Sequence, residues 1–159
     1  MNFLARLFGR SEPTLSEATA RDASAIAVLH SASFNRGWSD QEVEGLLLDN
    51  HVLAHRATLG SNFTGFIMSR LVEDEAEILS VAVVARAQGR GVAQALLMLH
   101  LRRLAGLGCR AVFLEVDKNN TPAIRLYDRA GFREVSRRPN YYQAAGGQRA
   151  TALVLRRDL

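Results

Sequence analysis

Apolar residues recur along this chain with two different spacings, which predict a mixture of strands and helices. Thr14–Ala18 is typical of a short strand, whereas Asp22–His30 has its apolar residues at helical spacing. Ser39 followed three residues later by Glu42 is a capping-box pattern, in which a hydroxyl and a carboxylate cap the first turn of a helix. We therefore expect one strand followed by two helices.

A period of two residues begins after His51 and predicts three consecutive strands. Alternation over Val52–Arg56 is followed by the turn-forming segment Gly60-Ser61-Asn62. Phe63–Val72 and Ile78–Val84 are again typical of strands, and the acidic run Glu73-Asp74-Glu75 marks the reversal between them. Three strands joined in this way predict a meander.

Helical spacing returns after the meander. Val92–Leu107 predicts a long and almost wholly apolar helix. Ala111–Val116 is a strand with apolar residues on both faces, as expected for a central strand that is covered on both sides. Asn119-Asn120-Thr121-Pro122 then supplies a cap and an early proline for a helix that continues to Ala130.

A hairpin is expected to close the chain. Its strands are Phe132–Tyr142 and Ala150–Leu155, with a reversal at Gly146-Gly147. The predicted order is one strand, two helices, three strands, a helix, a strand, a helix and two strands. This order predicts a mixed α/β fold with a largely antiparallel sheet and helices on both of its faces.

Length and composition restrict the chain to a single domain. Its 159 residues, of which 48% are hydrophobic and 23% charged, support one ordinary globular core. We expect residues 14–159 to form this domain and residues 1–13 to be a flexible N-terminal segment. No apolar run approaches the roughly 20 residues that cross a bilayer. The single cysteine, Cys109, fits a reducing compartment, so we expect a cytoplasmic protein without a membrane span.

Charge is distributed unevenly between the two halves of the chain. Residues 1–79 carry 6 basic and 11 acidic side chains, whereas residues 80–159 carry 14 basic and 5 acidic ones, within a net charge of +4. A basic second half indicates an anionic partner, either a phosphorylated cofactor or nucleic acid. Aromatic residues make up only 7% of the chain and do not alternate with arginines, which disfavours a nucleic-acid surface, and we expect no DNA partner.

One glycine-containing segment predicts a phosphate site. Residues 88–94, with the sequence Gln-Gly-Arg-Gly-Val-Ala-Gln, join a predicted strand to the start of a predicted helix. Backbone N–H groups at a helix start attract anions, and glycine lets a phosphate approach them closely. The segment lacks the ending of a P-loop and the third glycine of a dinucleotide fingerprint. It therefore predicts a pyrophosphate site of another kind, although Gly-x-Gly also occurs in ordinary tight turns.

This segment resembles the Gln/Arg-x-x-Gly-x-Gly/Ala signature of the GNAT acetyltransferases, and it lies where that family places it, between the fourth strand and the third helix. The resemblance continues through Leu114-Glu115-Val116, through residues 119–127 and through Ala130-Gly131-Phe132. It covers the chain from about Leu15 to the C-terminus. It implies the GNAT fold, a mixed and mostly antiparallel central sheet with helices on both faces, and acetyl-CoA as the cofactor.

A narrower resemblance is to the RimI-type branch, the ribosomal-protein-alanine N-acetyltransferases. It is carried by residues 137–142, Arg-Arg-Pro-Asn-Tyr-Tyr, and by residues 34–39, Phe-Asn-Arg-Gly-Trp-Ser, where Gly37 replaces the usual proline. It implies acetylation of a protein N-terminus, such as the N-terminal alanine of a ribosomal protein. A small-molecule amine would also suit the same cofactor site, and a ribosome-associated or RNA-associated binding module is a third interpretation.

The resemblance implies three contributions to acetyl-CoA binding. Backbone amides of the glycine segment, residues 88–94, would hold the pyrophosphate. A bulge in the preceding strand, at Val81-Ala82-Val83, would aim a main-chain amide at the thioester oxygen. Asn120 would hydrogen-bond the pantetheine arm, cap its own helix, or do both. The implied cofactor-binding residues are Val81, Ala82, Val83, Gln88, Gly89, Arg90, Gly91, Val92, Ala93, Gln94 and Asn120.

Glu115 and Tyr127 are the implied catalytic residues. The apolar neighbours of Glu115 would partly desolvate its carboxylate, as suits a general base, although a glutamate near a strand end can equally form a surface ion pair. Glu77 is the rival base, and it could instead attract the acceptor's ammonium group. Tyr127 would act as the general acid that protonates the departing thiolate, or it would be a core tyrosine with its hydroxyl at the surface.

The two branch-specific segments also contain the candidates for acceptor binding. Trp38, Tyr141 and Tyr142 would line a peptide groove together with Glu77, or the aromatic rings would only cap an edge of the core. The four histidines show no spacing typical of a metal site, so we expect no bound metal. Cys109 has no histidine placed near it in the sequence and is not expected to be a nucleophile.

Overall fold

The computed structural model describes residues 12–143 and 149–159, with the side chains of Tyr142 and Gln143 left aside. The elements follow the predicted order. They are β1 (Thr14–Glu17), α1 (Ala23–Ser33), α2 (Asp40–Leu48), β2 (Val52–Leu59), β3 (Asn62–Val72), β4 (Glu75–Val83), α3 (Val92–Gly106), β5 (Ala111–Asp117), α4 (Thr121–Arg129), β6 (Arg133–Gln143) and β7 (Arg149–Asp158). Short 3₁₀ turns at Ala20–Asp22 and Ala85–Ala87 precede α1 and follow β4.

The seven strands form one sheet in the order β1-β2-β3-β4-β5-β7-β6. Every neighbouring pair is antiparallel except β4 and β5, which run parallel. The parallel pairing joins Glu75–Ile78 to Ala111–Leu114 and goes no further. The predicted mixed, mostly antiparallel sheet is therefore confirmed.

Helices cover both faces of this sheet and bury a separate core on each. On the α3/α4 face, Val112, Leu114 and Val116 of β5 pack in one cluster with Leu96 and Leu97 of α3. On the α1/α2 face, Phe66 and Met68 of β3 pack with Ile26 of α1 and Val43 of α2. Because β5 alternates between the faces, Phe113, Glu115 and Asp117 point to the α1/α2 side.

Two predicted helix caps are present. The Ser39 hydroxyl accepts a hydrogen bond from the Glu42 N–H at 3.1 Å, and the Ser39 N–H donates to the Glu42 carboxylate at 2.9 Å, which completes the capping box of α2. Asn120 caps α4 by accepting from the Ala123 N–H at 3.3 Å. These local patterns fix where α2 and α4 begin.

The start of β4 differs from the prediction. The strand begins at Glu75 rather than at Ile78, because Ala76 and Ile78 are buried while Glu75 and Glu77 alternate with them on the exposed side. Alternation of this kind is typical of a half-buried strand, so the acidic residues belong to the strand itself.

A buried polar chain links β2, β3 and α3. Nδ1 of His55 lies 2.8 Å from Nδ1 of His100, and Nε2 of His100 lies 2.6 Å from the Ser69 hydroxyl. All three side chains are buried. Burial lowers the pKa of His100 to about 3, with His55 contributing in the same direction, and burial also lowers the pKa of His55. Both imidazoles are therefore neutral in the folded protein at pH 7.

The predicted N-terminal segment and the predicted closing turn fall largely outside the residues that the structure describes. Of the predicted flexible segment, residues 1–11 lie outside the described residues, as does the predicted reversal at Gly146-Gly147. Within the described ranges, no helix has the length and apolar character needed to cross a membrane.

Candidate functional site

β4 and β5 pair at one end and separate at the other. Their last paired residues are Ile78 and Leu114, after which β4 continues beside β3 and β5 continues beside β7. The backbone groups on the two inner edges beyond these residues form no ladder with each other. The sheet is therefore forked at its centre, and Glu115 is the first β5 residue beyond the pairing.

A β-bulge lies at the base of this fork. Along β3, Met68 pairs with Ser80 and the adjacent Ser69 pairs with Ile78, so Leu79 is an additional residue in β4. The predicted bulge at Val81–Val83 is thus wrong by about two residues, because a one-residue register shift leaves no mark on the apolar pattern. Val81, Ala82 and Val83 instead form the regular β4 edge of the fork.

The glycine segment connects this edge to α3. Gly89 and Gly91 have φ angles of +76° and +77°, in the left-handed region that favours glycine, and Gly91 is the N-cap of α3. No side chain caps α3, and a Cβ atom at either glycine would meet no atom within 4 Å. The first N–H groups of α3, at Val92, Ala93 and Gln94, have no hydrogen-bond acceptor among the described residues and lie at the positive end of the helix dipole.

This arrangement fits a diphosphate group. Gln88 donates from Nε2 to the Val83 carbonyl at 3.1 Å and so ties the segment to the end of β4. Arg90 and Gln94 are exposed, and Arg90 adds positive charge beside the helix start. The segment thus offers backbone donors, room and positive charge in one place, and it opens directly onto the fork.

Glu115 lies on the α1/α2 side of the fork and is partly buried, with 23% of its side chain exposed. Its Oε1 atom lies 3.2 Å from Nη1 of Arg138 on β6. The ion pair that the sequence offered as an alternative is therefore present, and it involves a partly buried carboxylate at the fork rather than an exposed one.

Glu77 lies on the same face as Glu115 but lower on the sheet. It is exposed, and it pairs with Arg70 of β3 and with Phe113 of β5 in the register. It precedes the bulge by two residues, in the part of β4 that is still paired. Of the two predicted base positions, only Glu115 borders the fork.

Tyr127 and Asn120 lie on α4, which covers the opposite face. Tyr127 is 7% exposed and its ring contacts Phe132 edge-on at 5.6 Å, so its ring is a core ring as well as a candidate acid. Asn120 is exposed at the N-cap. Glu115 and Tyr127 therefore approach the sheet from opposite sides, and their roles stay predictions.

Trp38 borders a groove on the α1/α2 face. Its indole stacks on the His30 ring at 3.9 Å, and the backbone N–H of Trp38 donates to Nδ1 of His30 at 3.1 Å. The ring thus caps the core edge and also lines the groove. The groove has a volume of about 530 Å³. Its lining residues are Arg36, Trp38, Glu42, Gly45, Leu46, Asp49, Arg70 and Leu79.

The loop that carries Trp38 packs tightly against α1. A Cβ atom at Gly37 would lie 2.7 Å from Cβ and 2.8 Å from Cα of Ser31. A proline or any other side-chain-bearing residue is therefore excluded at Gly37 in this conformation. Glycine in place of the family's usual proline at position 37 is therefore what allows this loop to pack so closely against α1.

Tyr141 lies in a second irregular segment, on β6. Arg138 pairs with Ala152 and Tyr142 with Ala150, so the intervening β6 residues form a wide bulge, and Asn140 has a φ of +56°. Tyr141 is 52% exposed, and the Arg138 guanidinium lies 5.2 Å from its ring centroid. The Tyr142 side chain lies outside the described residues, so its predicted role stays a prediction.

Three features of the site escaped the sequence analysis. Arg138 was noted only as part of a branch motif, His30 only as a helix residue, and Leu79 not at all. Arg138 and Glu115 are 23 residues apart in sequence. They meet because β6 and β5 flank the same strand, β7, and the long Arg138 side chain reaches across it. The spacing of His30 and Trp38 across a helix end was the one local signal that could have indicated their contact.

Cys109 and the possible metal ligands of the chain add no further site among the described residues. Cys109 is buried, and burial, followed by the charge of Asp74, raises the pKa of its thiol. A nucleophilic thiolate needs the opposite shift. In the part of the chain that the structure describes, no three histidine, cysteine or acidic residues come close enough to hold a metal ion.

Comparison with known proteins settles the family. The acetyltransferase (GNAT) family model matches residues 23–132. The chain belongs to the GNAT family of acetyltransferases. It is accordingly an N-acetyltransferase that uses acetyl-CoA, and the glycine segment and the fork fit that molecule's diphosphate and acyl-bearing arm.

Several individual proteins are similar to this chain in sequence or in structure. A [ribosomal protein bS18]-alanine N-acetyltransferase of Haemophilus ducreyi is 33% identical over 115 residues, which cover 70% of this chain and 79% of that protein. The crystal structure of the Escherichia coli ribosomal-protein-S18-alanine N-acetyltransferase has a TM-score of 0.86 at 27% identity, over 92% of this chain and 94% of that one. Arabidopsis thaliana NAA60 in complex with acetyl-CoA shares the fold, with a TM-score of 0.82 at 21% identity over 93% and 99% of the chains.

Proposed function

We propose that this acetyltransferase modifies the α-amino group of a protein N-terminus, with the N-terminal alanine of a ribosomal protein as the first candidate. The observation that carries the proposal is the position of Glu115, a partly buried carboxylate beside the fork of β4 and β5. It shares the α1/α2 face with the Trp38 groove, whose volume is about 530 Å³. The relatives that act on ribosomal protein bS18 support the choice of acceptor.

The cofactor-binding residues act mainly through their main chain. The N–H groups of Val92, Ala93 and Gln94 would hold the diphosphate, and the glycines before them keep the approach open. The unpaired inner edge of β4, from Val81 to Val83, would hydrogen-bond the extended arm that lies in the fork. Acetyl-CoA supplies the acetyl group as a thioester, which a primary amine can attack once it is deprotonated.

Glu115 is the proposed general base. An N-terminal amine arrives largely as an ammonium ion, and its nitrogen becomes a nucleophile only after a proton is removed. Glu115 would accept that proton, either directly or through a water molecule. Glu77, which is exposed lower on the same face, would attract the ammonium electrostatically without receiving its proton.

Tyr127 is the proposed general acid. Its helix covers the face opposite to Glu115, so the two groups would act on the reacting atoms from the two sides of the fork. The phenol would donate its proton to the sulfur as the thiolate leaves. Its packing against Phe132 fixes the ring and thereby the direction of the hydroxyl.

The experiment that tests the proposal is acetyl transfer from acetyl-CoA to a panel of acceptors. The panel contains peptides that begin with alanine, serine or methionine, a peptide with a blocked N-terminus and an internal lysine, and a small polyamine. We expect the alanine peptide to react fastest and the blocked peptide not to react. Preferential turnover of the polyamine would replace the proposal by small-molecule acetylation.

Matched variants test the assigned roles with the best acceptor. Glu115→Gln is expected to lower kcat by about 10²–10⁴-fold, the usual contribution of a general base, with little change in the Kd of acetyl-CoA. Tyr127→Phe, which keeps the packed ring, should also lower kcat. Glu77→Gln should chiefly raise KM for the peptide. If Glu77→Gln alone abolished turnover, the base would be Glu77.

A further inference from the structure

The Glu115 carboxylate is restrained by one cation through one of its oxygens. Nη1 of Arg138 lies 3.2 Å from Oε1 of Glu115. Among the described residues, no other ion pair or hydrogen bond of the Glu115 side chain is found. The second oxygen is therefore left for the acceptor, while the first is fixed in direction.

Arg138 is itself held in place. Its guanidinium lies over the ring of Tyr141, 5.2 Å from the ring centroid, a cation–π contact. The wide bulge of β6 brings the two side chains together, since Tyr141 follows Arg138 by only three residues and Asn140 turns the backbone at a φ of +56°. In a regular strand, residues three apart would point to opposite faces.

Neighbouring arginines are committed elsewhere. Arg156 stacks on Phe113 at 4.9 Å and pairs with Asp158 at 2.9 Å. Arg137 pairs with Glu134 at 2.9 Å on its own strand. Arg138 is thus the arginine that the fold directs to Glu115.

We propose that Arg138, braced by Tyr141, positions the Glu115 carboxylate for proton transfer. This inference rests on the proposed function, in which Glu115 is the base. A carboxylate at the end of a flexible side chain loses rotational freedom when it must meet a proton in one orientation, and the ion pair fixes that orientation in advance. The guanidinium does not touch the reacting atoms, so Arg138 is a positioning residue.

Kinetics of Arg138 variants with the best peptide acceptor test this inference. Arg138→Gln should lower kcat by about 10-fold or more, a part of the 10²–10⁴ that a general base supplies. KM for acetyl-CoA should stay within twofold, because the contacts of Arg138 are with Glu115 and Tyr141 and not with the glycine segment. Arg138→Lys retains the positive charge but loses the planar group that lies over Tyr141, so it should recover only a part of the lost kcat.

The double variant shows whether Arg138 acts through Glu115. In the Glu115→Gln background, Arg138→Gln should cost little further activity, since its partner is already gone. Arg133→Gln is the control, because Arg133 lies on the same strand and pairs with exposed Asp158. It should leave kcat unchanged.

The outcomes separate this inference from the proposed function. If the wild-type protein acetylates no peptide, the proposed function fails. If the wild type is active and Glu115→Gln is not, but Arg138→Gln keeps the wild-type kcat or lowers it equally in both backgrounds, only the role of Arg138 is overturned. Should Arg138→Gln fold poorly, as judged by its thermal unfolding, a low kcat in well-folded Arg138→Lys would overturn the role of charge.

Discussion

Gly91 has two duties at a single residue. Its left-handed φ turns the chain into α3, and it places no side chain beside the first N–H groups of the helix. The first duty concerns stability and the second concerns ligand binding. Because a Cβ atom at Gly91 would contact no protein atom, the cost of a substitution to the fold is limited to the strain of the left-handed φ.

Gly91→Ala is expected to weaken acetyl-CoA binding more than it weakens the fold. The left-handed conformation should cost about 1–2 kcal/mol of unfolding free energy. A displaced phosphate would lose at least one charge-assisted hydrogen bond, worth about 1.5–3 kcal/mol, and so at least about tenfold in Kd. Thermal unfolding with and without acetyl-CoA measures both effects.

Gly106→Ala serves as the control for this measurement. Gly106 ends the same helix, and an added Cβ atom there would also meet nothing within 4 Å. It should leave the ligand-dependent shift of the melting temperature unchanged. Wild-type affinity in Gly91→Ala would show that the diphosphate is held elsewhere.

Single residues of the site were predictable where the chemistry is local. Ser39, Glu42 and Asn120 cap helices that begin beside them. The glycines of residues 88–94 likewise indicate a turn between a strand and a helix. The ion pair of Glu115 and Arg138 depends on strand order and on a bulge, so no local pattern contains it. Its prediction would require the sheet topology first.

At the scale of elements, the loop between α1 and α2 is fixed by its fit against α1. His30 accepts a hydrogen bond from the backbone N–H of Trp38 and stacks on the Trp38 indole, while Gly37 abuts Ser31. Burial lowers the pKa of His30, against a weaker opposing effect of Glu42, which keeps the ring neutral and able to accept that bond at pH 7. The loop is thus a rigid wall of the Trp38 groove.

Gly37→Ala should push this wall outward. The added methyl would overlap Ser31 of α1, and overpacking of this kind costs about 1–3 kcal/mol of unfolding free energy. We expect KM for the peptide acceptor to rise while the Kd of acetyl-CoA stays as in the wild type. Steady-state kinetics with each substrate varied would reveal this split. An unchanged peptide KM would mean that the acceptor does not use this loop.

Element boundaries were harder to predict than element order. The order followed from the change between helical and alternating spacing. The start of β4 at Glu75 did not, because acidic residues on the exposed side of a strand resemble a turn in the sequence. The bulge was predicted at Val81–Val83 but lies at Leu79. All of these residues are apolar, so the sequence pattern does not show which of them is the additional one.

Across the whole molecule, the helices on the two faces of the sheet differ in charge. The α1/α2 face carries the acidic residues Asp40, Glu42 and Glu44 of α2. The α3/α4 face carries Arg102 and Arg103 of α3, and Arg125 and Arg129 of α4. The helices would thus favour a cationic amine on the α1/α2 face and an anionic cofactor on the other, while Arg36 and Arg70 add positive charge to the wall of the Trp38 groove.

The buried histidines make the stability of the whole fold sensitive to acid. An unfolded chain binds protons at His55 and His100 as the pH falls below about 6.5, whereas folded His100 does so only near pH 3. The folded state therefore loses stability over this range, by up to about 1.4 kcal/mol per pH unit for His100, and His55 contributes in the same direction. Urea unfolding at pH 7, 6 and 5 would measure the decline.

Two variants assign this decline to the buried chain. His100→Gln should lower the stability at pH 7 and flatten its dependence on pH between 5 and 7. His51→Gln, at an exposed histidine beside Asp49, should leave that dependence as in the wild type. An equally steep decline in His100→Gln would place the acid sensitivity in other groups.

Among the described residues, β4 and β5 share four ladder pairs, all at one end of the fork. Beyond them the two strands are held side by side by one hydrophobic cluster, which packs Ile78 of β4 and Leu114 of β5 beneath α3. Side-chain packing therefore keeps the fork in place while the main-chain groups along its inner edges stay without strand partners. A donor molecule lodged there would supply the missing hydrogen-bond partners without displacing any bond of the sheet.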